Sequence, residues 1–133
     1  MKKIKLIIGI TGGSGVGKTT LINKLYKEFD GKITTLSLDN YYKPKDQQAV
    51  DQNGVINFDL PTALNTKQLE TDLDLLLQNK TVKQKIYTFN NPDKPDDFLY
   101  IKPNEILIVE GLFVMHYPFV KSKLDYSVYL SVD

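Results

Sequence analysis

The sequence predicts a three-layer α/β domain with a mainly parallel sheet. Apolar, largely β-branched runs at residues 4–10 and 106–109 are typical of strands that are covered on both faces. Over residues 21–29 and 66–79, apolar residues recur at three- and four-residue spacing, as they do in amphipathic helices. Strands that alternate with helices favour an α/β domain, in which ligands collect at the carboxyl ends of the strands.

The first half of the chain is predicted to form a strand, a glycine turn, a helix and a second strand. The helix has one apolar stripe, and Gly31 follows it where a C-terminal cap is expected. The stripe consists of Leu21, Ile22, Leu25 and Phe29. The second strand, at residues 33–38, leads directly into Asp39.

A polar segment at residues 43–57 separates these elements from the second helix, and its length predicts a functional or mobile loop. Asn65 is a plausible N-cap for the helix at 66–79, with Gln68 three residues further on. Leu69, Leu73, Leu76 and Leu77 form its apolar stripe.

Extended segments follow the second helix. Those at 82–89 and 98–102 flank a turn-rich stretch and predict a small β-hairpin insertion. The buried strand at 106–109 ends in Glu110, and residues 128–132 predict a last strand.

Composition restricts the class of protein. The 133 residues suit one domain, and 17 basic against 16 acidic residues leave a net charge of +1 without a charged tail for nucleic acid or membrane. The absence of cysteine excludes disulfides, thiolate metal sites and cysteine nucleophiles. No apolar run approaches the roughly 20 residues that span a bilayer. We therefore expect a soluble, cytoplasmic protein whose partners must be inferred from its sites, and a homo-oligomer stays open.

Residues 12–19 match the phosphate-binding P-loop motif GxxxxGK[ST] in full, between a predicted strand and a predicted helix. Glycines let the backbone approach phosphates, and the amides and the helix N-terminus supply positive potential. Lys18 reaches the β- and γ-phosphates, which gives it a catalytic role, and the Thr19 hydroxyl can bind Mg²⁺. The alternative is a glycine-rich turn without a ligand. The predicted residues for ATP or GTP are Gly12, Gly13, Ser14, Gly15, Val16, Gly17, Lys18, Thr19 and Thr20.

Two acids at predicted strand ends are candidates for the chemistry. Glu110 lies where P-loop proteins carry the carboxylate that holds Mg²⁺, although a strand cap is the alternative. Asp39 is a candidate base that accepts the proton of an attacking hydroxyl, the alternative being a turn with Asn40. For His116, which has no apparent acid partner, we expect a structural or surface role.

Five segments together resemble, in order and spacing, the uridine kinase family. They are GGSGVGKTT at 12–20, LDNYY at 38–42, INFDLP at 56–61, IYTF at 86–89 and IVEGLF at 108–113. The resemblance spans nearly the whole chain, and the five segments together are much more specific than the P-loop motif by itself.

The resemblance implies a P-loop NTPase fold and transfer of the γ-phosphate of ATP or GTP to the 5′-hydroxyl of uridine or cytidine. Asp39 then matches the catalytic carboxylate, and Asp59 the acid that holds the ribose hydroxyls. Tyr42 and Tyr87 match aromatic residues that line the nucleoside site. Asp59 as a cap before Pro61 and Tyr87 as a half-buried hairpin residue are the alternatives.

Two features depart from the family pattern. After the YxF element the family has a His and then an Arg, whereas residues 90–94 here contain Pro92 and Lys94. After a strand matching 126–133 the family continues into an arginine-rich lid helix, so we expect residues 1–133 to form one kinase domain without that lid. A related kinase acting on ribulose phosphate or pantothenate, or a non-catalytic nucleotide-binding or regulatory module, therefore stays open.

Overall fold

A computed structural model describes residues 3–12, 17–43, 50–55, 61–86 and 97–130. The strands are β1 (Leu6–Thr11), β2 (Ile33–Ser37), β3 (Val82–Lys85), β4 (Phe98–Ile101), β5 (Ile106–Gly111) and β6 (Tyr126–Tyr129). The α-helices are α1 (Lys18–Glu28), α2 (Thr66–Leu77) and α3 (Pro118–Lys121), and short 3₁₀ helices span Leu38–Tyr41 and Pro61–Ala63. No helix in the described ranges is long and apolar enough to cross a membrane.

Four strands form a parallel sheet in the order β2-β5-β1-β6, as the alternation of strands and helices predicts. In the register of this sheet, Glu110 on β5 lies opposite Ile10 on β1 and Ser37 on β2. The carboxyl ends of the three strands therefore meet at one edge of the sheet. In the sequence, β1 is followed by the P-loop motif and β2 by the 3₁₀ helix, while Glu110 lies near the end of β5.

Both faces of the sheet are covered, which gives three layers. On one face, α1 packs through three partly buried side chains: Leu21, Ile22 and Leu25. On the other, α2, α3 and the β3-β4 hairpin bury the larger apolar core. Successive residues of β5 alternate between the two cores, since Ile106 and Ile108 face α1 while Leu107 and Val109 face α2.

The N-terminal cap of α2 agrees with the sequence prediction, because the Asn65 side chain accepts the amide of Gln68 at 3.2 Å. This helix ends two residues earlier than predicted, at Leu77.

The end of α1 differs from the prediction. The helix stops at Glu28, and Phe29 caps it outside the helix with 42% of its surface exposed, so Phe29 does not join the buried stripe. Gly31 has a φ of 76°, yet it lies in the turn to β2 and not at the helix cap. An Asp-Gly turn after the helix produces the same sequence signal as a glycine cap.

The predicted hairpin forms a separate antiparallel pair in which Val82 lies opposite Ile101 and Lys85 opposite Phe98. Alternate residues of β3 are buried, namely Val82 and Gln84. The buried face contacts α2 and the 3₁₀ helix Leu38–Tyr41 that follows β2.

Candidate active site

The start of α1 is suited to an anion. Gly17, the residue before the helix, has a φ of 85°, a left-handed conformation that glycine adopts without strain. Among the described residues no side chain caps this helix, and no acid lies in its first turn. The first-turn amides and the positive end of the helix dipole therefore face the site without competition from a described side chain.

Lys18, the P-loop lysine, is held between two groups at the sheet edge. Its Nζ lies 2.8 Å from Oε2 of Glu110 and 3.4 Å from the carbonyl oxygen of Gly12. The side chains of the two charged residues are 13% and 11% exposed, so the pair is largely shielded from water. At this burial the attraction is stronger than in a surface ion pair.

The Glu110 carboxylate retains an unsatisfied oxygen. Oε2 is buried, and its approach to Lys18 has the distance of an ion pair without the geometry of a hydrogen bond. Buried carboxylate oxygens usually have hydrogen-bond partners, and one that lacks them suits a cation or its water.

This arrangement fits Mg²⁺ bound together with phosphates. Within the described ranges no three His, Cys, Asp or Glu residues cluster as an all-protein metal site requires. Nucleotide-bound Mg²⁺ needs only one or two protein carboxylates besides phosphates and water. Glu110 and the Thr19 hydroxyl, which line the same cleft, provide donors of that kind.

Asp39 lies one residue into the 3₁₀ helix that follows β2, and its amide donates to the side chain of Ser37 at 3.3 Å. Although the residue keeps solvent contact, burial against the cleft wall raises the pKa of its carboxyl, and the negative charge of Glu110 raises it further. Lys18 offsets part of this rise. A carboxylate with a raised pKa is a better proton acceptor than an ordinary aspartate.

A glycine brings the 3₁₀ helix close to β5. Gly111 has a φ of 150°, and a Cβ atom there would lie 2.8 Å from Cβ of Leu38. Any larger residue would push Leu38, and with it the neighbouring Asp39, away from Glu110.

The predicted residues that the structure brings together line one cleft of about 530 Å³. They are Gly17, Lys18, Thr19, Thr20, Asp39 and Glu110, joined by Ile22 of α1. Gly12 is buried at the end of β1, beside the lysine.

The remaining predicted residues divide into two groups. One group lies outside the described residues: Gly13, Ser14, Gly15, Val16, Asp59 and Tyr87.

The other group is Tyr42 alone. It is half-buried against the larger core, and its backbone forms a β-bridge with Leu64. Tyr42 also lies near Tyr117, because burial and the nearby Tyr42 together raise the pKa of Tyr117 to about 12. These contacts fix Tyr42 at the end of the 3₁₀ helix that carries Asp39.

His116 is exposed and meets the rings of Phe113 and Tyr117 edge-on, at centroid distances of 6.4 and 5.4 Å. It does not line the cleft. This position accords with the surface role expected for it.

Gln84 is a polar residue near the site that none of the sequence motifs includes. It is 2% exposed and hydrogen-bonds to residues on both sides of Asp39. The sequence contains one signal for it: Gln84 lies two residues after Val82, so both side chains face inward on the same strand. A buried glutamine side chain needs hydrogen-bond partners.

The parallel sheet, the P-loop motif and the helix start behind it place the chain in the P-loop class of α/β proteins. More narrowly, the chain belongs to the Phosphoribulokinase / Uridine kinase family, which it matches over residues 7–133.

Curated relatives agree with this assignment. A uridine kinase from Limosilactobacillus reuteri (strain DSM 20016) is 31% identical over 132 residues, which cover 98% of this chain and 61% of the relative. A uridine kinase from Alkaliphilus metalliredigens is 33% identical over 129 residues, which cover 96% of this chain and 62% of the relative. The chain therefore spans less than two thirds of the length of these relatives.

Solved structures confirm the fold. A possible uridine kinase from Bacillus stearothermophilus superimposes with a TM-score of 0.74 at 17% identity, covering 100% of this chain and 74% of that one. Phosphoribulokinase from Rhodobacter spheroides superimposes with a TM-score of 0.65 at 14% identity. The match covers 96% of this chain and 51% of that one.

Proposed function

We propose that this chain provides the nucleotide-binding and catalytic core of a kinase that transfers the γ-phosphate of ATP or GTP to the 5′-hydroxyl of uridine or cytidine. One observation carries the proposal: Lys18, Glu110 and Asp39 line a single cleft at the carboxyl ends of three neighbouring strands. The curated relatives named uridine kinase support the choice of acceptor.

In the donor half of the site, the amides at the start of α1 and the ammonium group of Lys18 hold the phosphates. Lys18 moves from Glu110 to the β- and γ-phosphates when nucleotide binds. Thr19 and Glu110 would hold Mg²⁺, which neutralises charge on the phosphate oxygens when it is bound.

In the acceptor half, Asp39 orients the 5′-hydroxyl and accepts its proton. The hydroxyl oxygen forms a bond to the γ-phosphorus while the bond to the β,γ-bridging oxygen breaks, which releases ADP or GDP and the nucleoside 5′-monophosphate. We assign the ribose hydroxyls to Asp59 and the walls of the nucleoside site to Tyr42 and Tyr87, on the basis of the family resemblance.

A kinase assay of the full chain tests this proposal. Saturable, Mg²⁺-dependent release of ADP is expected with uridine or cytidine, and the product is identified as the 5′-monophosphate by mass spectrometry. Transfer to neither nucleoside would refute the proposed acceptors.

A second candidate is a related P-loop kinase with a different alcohol substrate. Residues 90–94 favour it, because Pro92 cannot supply the imidazole donor that the family places near the base, and Lys94 lacks the bidentate geometry of arginine. Adding ribulose 5-phosphate and pantothenate to the assay separates the two enzymes. Tight ATP binding in calorimetry without transfer to any acceptor would indicate a nucleotide-binding module.

A further inference from the structure

A buried glutamine is hydrogen-bonded to residues on both sides of the proposed catalytic acid. Gln84 lies on β3, in the hairpin, and only 2% of its surface is exposed. A buried primary amide without partners would destabilise the fold, so its hydrogen bonds identify what it supports.

The partners of Gln84 lie in the segment that contains Asp39. Its Oε1 accepts from Nδ2 of Asn40 at 3.0 Å, and its Nε2 donates to the carbonyl oxygen of Ser37 at 3.2 Å. These contacts fasten the chain immediately after Asp39 and two residues before it.

The same side chain reaches Tyr41. Burial raises the pKa of the Tyr41 hydroxyl, the hydrogen bond to Asp72 raises it further, and the nearby Gln84 side chain offsets a small part of this rise. That hydroxyl donates to Oδ2 of Asp72 at 2.7 Å, and Oδ1 of Asp72 accepts from Gln68 at 2.8 Å. The 3₁₀ helix is thereby tied to both the hairpin and α2.

We infer that Gln84 is a positioning residue, which fixes the backbone on both sides of Asp39 and so sets where its carboxylate meets the acceptor hydroxyl. This inference rests on the proposed function. The Asp39 side chain lines the cleft together with that of Glu110, so the place of its carboxylate depends on the backbone that carries it. A displacement of about 1 Å in a catalytic group can lower a rate by about 10².

Through Gln84, the hairpin strand β3 and the 3₁₀ helix that contains Asp39 form one hydrogen-bonded unit.

Gln84→Met in the full chain tests the inference, because methionine keeps the length of the side chain and removes all of its hydrogen bonds. We expect kcat to fall about 10- to 100-fold, with KM for ATP changed by less than about twofold. Val82→Ala is the matched control, since it removes packing two residues earlier on the same buried face and none of these bonds. It is expected to lower the Tm while leaving kcat close to that of the unmodified chain.

The decisive comparison repeats Gln84→Met in the presence of Asp39→Asn. If Gln84 acts through Asp39, the second substitution causes no further loss of kcat. An equal loss in both backgrounds, or an unchanged kcat in the single variant, would overturn the inference. Should Gln84→Met fail to fold, Asn40→Ala removes one of the two bonds and is judged by the same criteria.

Hydrogen–deuterium exchange separates this inference from the proposed function. Peptides covering residues 37–43 are expected to exchange at least about 10-fold faster in Gln84→Met than in Val82→Ala. If the unmodified chain transfers phosphate to no acceptor, the proposed function fails, and the exchange result then decides on positioning. Equal exchange in the two variants would overturn it.

Discussion

The Nζ of Lys18 and Oε2 of Glu110 lie 2.8 Å apart in a pair that is almost closed to water. The lysine that is proposed to bind phosphate is therefore paired with the acid that is proposed to hold Mg²⁺. In the proposed complex, phosphate would compete with Glu110 for Lys18, and Mg²⁺ would compete with Lys18 for Glu110. Binding both ligands together would replace one buried ion pair by two others, so that neither charge would be left unpaired.

Glu110→Gln is expected to weaken the dependence of ATP binding on Mg²⁺. The amide preserves shape but loses the charge, so Mg²⁺ loses a ligand or a ligand to its water, and such losses reduce metal affinity by about 10- to 100-fold. Calorimetric titration with ATP, in Mg²⁺ and in EDTA, measures the effect. The affinity gain from Mg²⁺ should shrink by that factor while binding in EDTA persists. An unchanged gain would remove Glu110 from the metal site.

The candidate residues at this edge of the sheet could be predicted from the sequence, because each belongs to a short segment with a recognisable pattern. A glycine-rich turn between an apolar run and an amphipathic stretch indicates a P-loop, and apolar runs that end in acids indicate the strand ends near Asp39 and Glu110. The parallel order of the strands then brings those ends together.

What the sequence could not predict depends on contacts between distant segments. The sequence predicts a strand that ends at Leu38 and a turn after it, where the structure has a 3₁₀ helix, and nothing within residues 38–41 shows that Gln84 of the hairpin is hydrogen-bonded to this segment. The match between Gly111 and Leu38 likewise exists only once β5 lies beside β2. Such pairings are set by tertiary packing, which periodicity and motif spacing do not encode.

Asp39→Asn is expected to lower kcat by about 10² to 10⁴, because the amide cannot accept the proton of the acceptor hydroxyl. ATP affinity, measured by calorimetry, should stay close to that of the unmodified chain. In the unmodified chain kcat should fall on the acid side at a pH above the ordinary aspartate pKa of 3.8, since burial and Glu110 raise the pKa of Asp39. Turnover of Asp39→Asn close to the original would remove Asp39 from the role of base.

The same substitution is expected to stabilise the fold at neutral pH. A carboxyl whose pKa is raised in the folded state binds protons more readily there than in the unfolded chain, so its ionised form opposes folding and stability falls as the pH rises through the folded pKa. Asparagine removes this penalty. Thermal unfolding of nucleotide-free protein should give a higher Tm for Asp39→Asn at pH 7, and the difference should vanish as the pH falls below 3.8, where both states are protonated. A lower Tm at pH 7 would contradict the sign.

Gly111→Ala is expected to damage stability and turnover together. The added Cβ would lie 2.8 Å from Cβ of Leu38, which has no rotamer freedom to yield, and the φ of 150° disfavours any side chain. Overpacking of this kind costs about 1–3 kcal/mol in the free energy of unfolding. Because relief requires the 3₁₀ helix to move, kcat should also fall by about 10-fold or more.

Gly9→Ala is the matched control for Gly111→Ala. A Cβ atom at position 9 would also clash, since it would lie 2.5 Å from Cδ1 of Leu124. That atom is the far end of a flexible side chain, which packs against the larger core on the face of the sheet away from α1. Urea unfolding should show a loss of stability for both variants, whereas steady-state kinetics should show a reduced kcat for Gly111→Ala only. If the two variants lost kcat in proportion to their stability, the contact between Gly111 and Leu38 would serve packing alone and would not fix the position of Asp39.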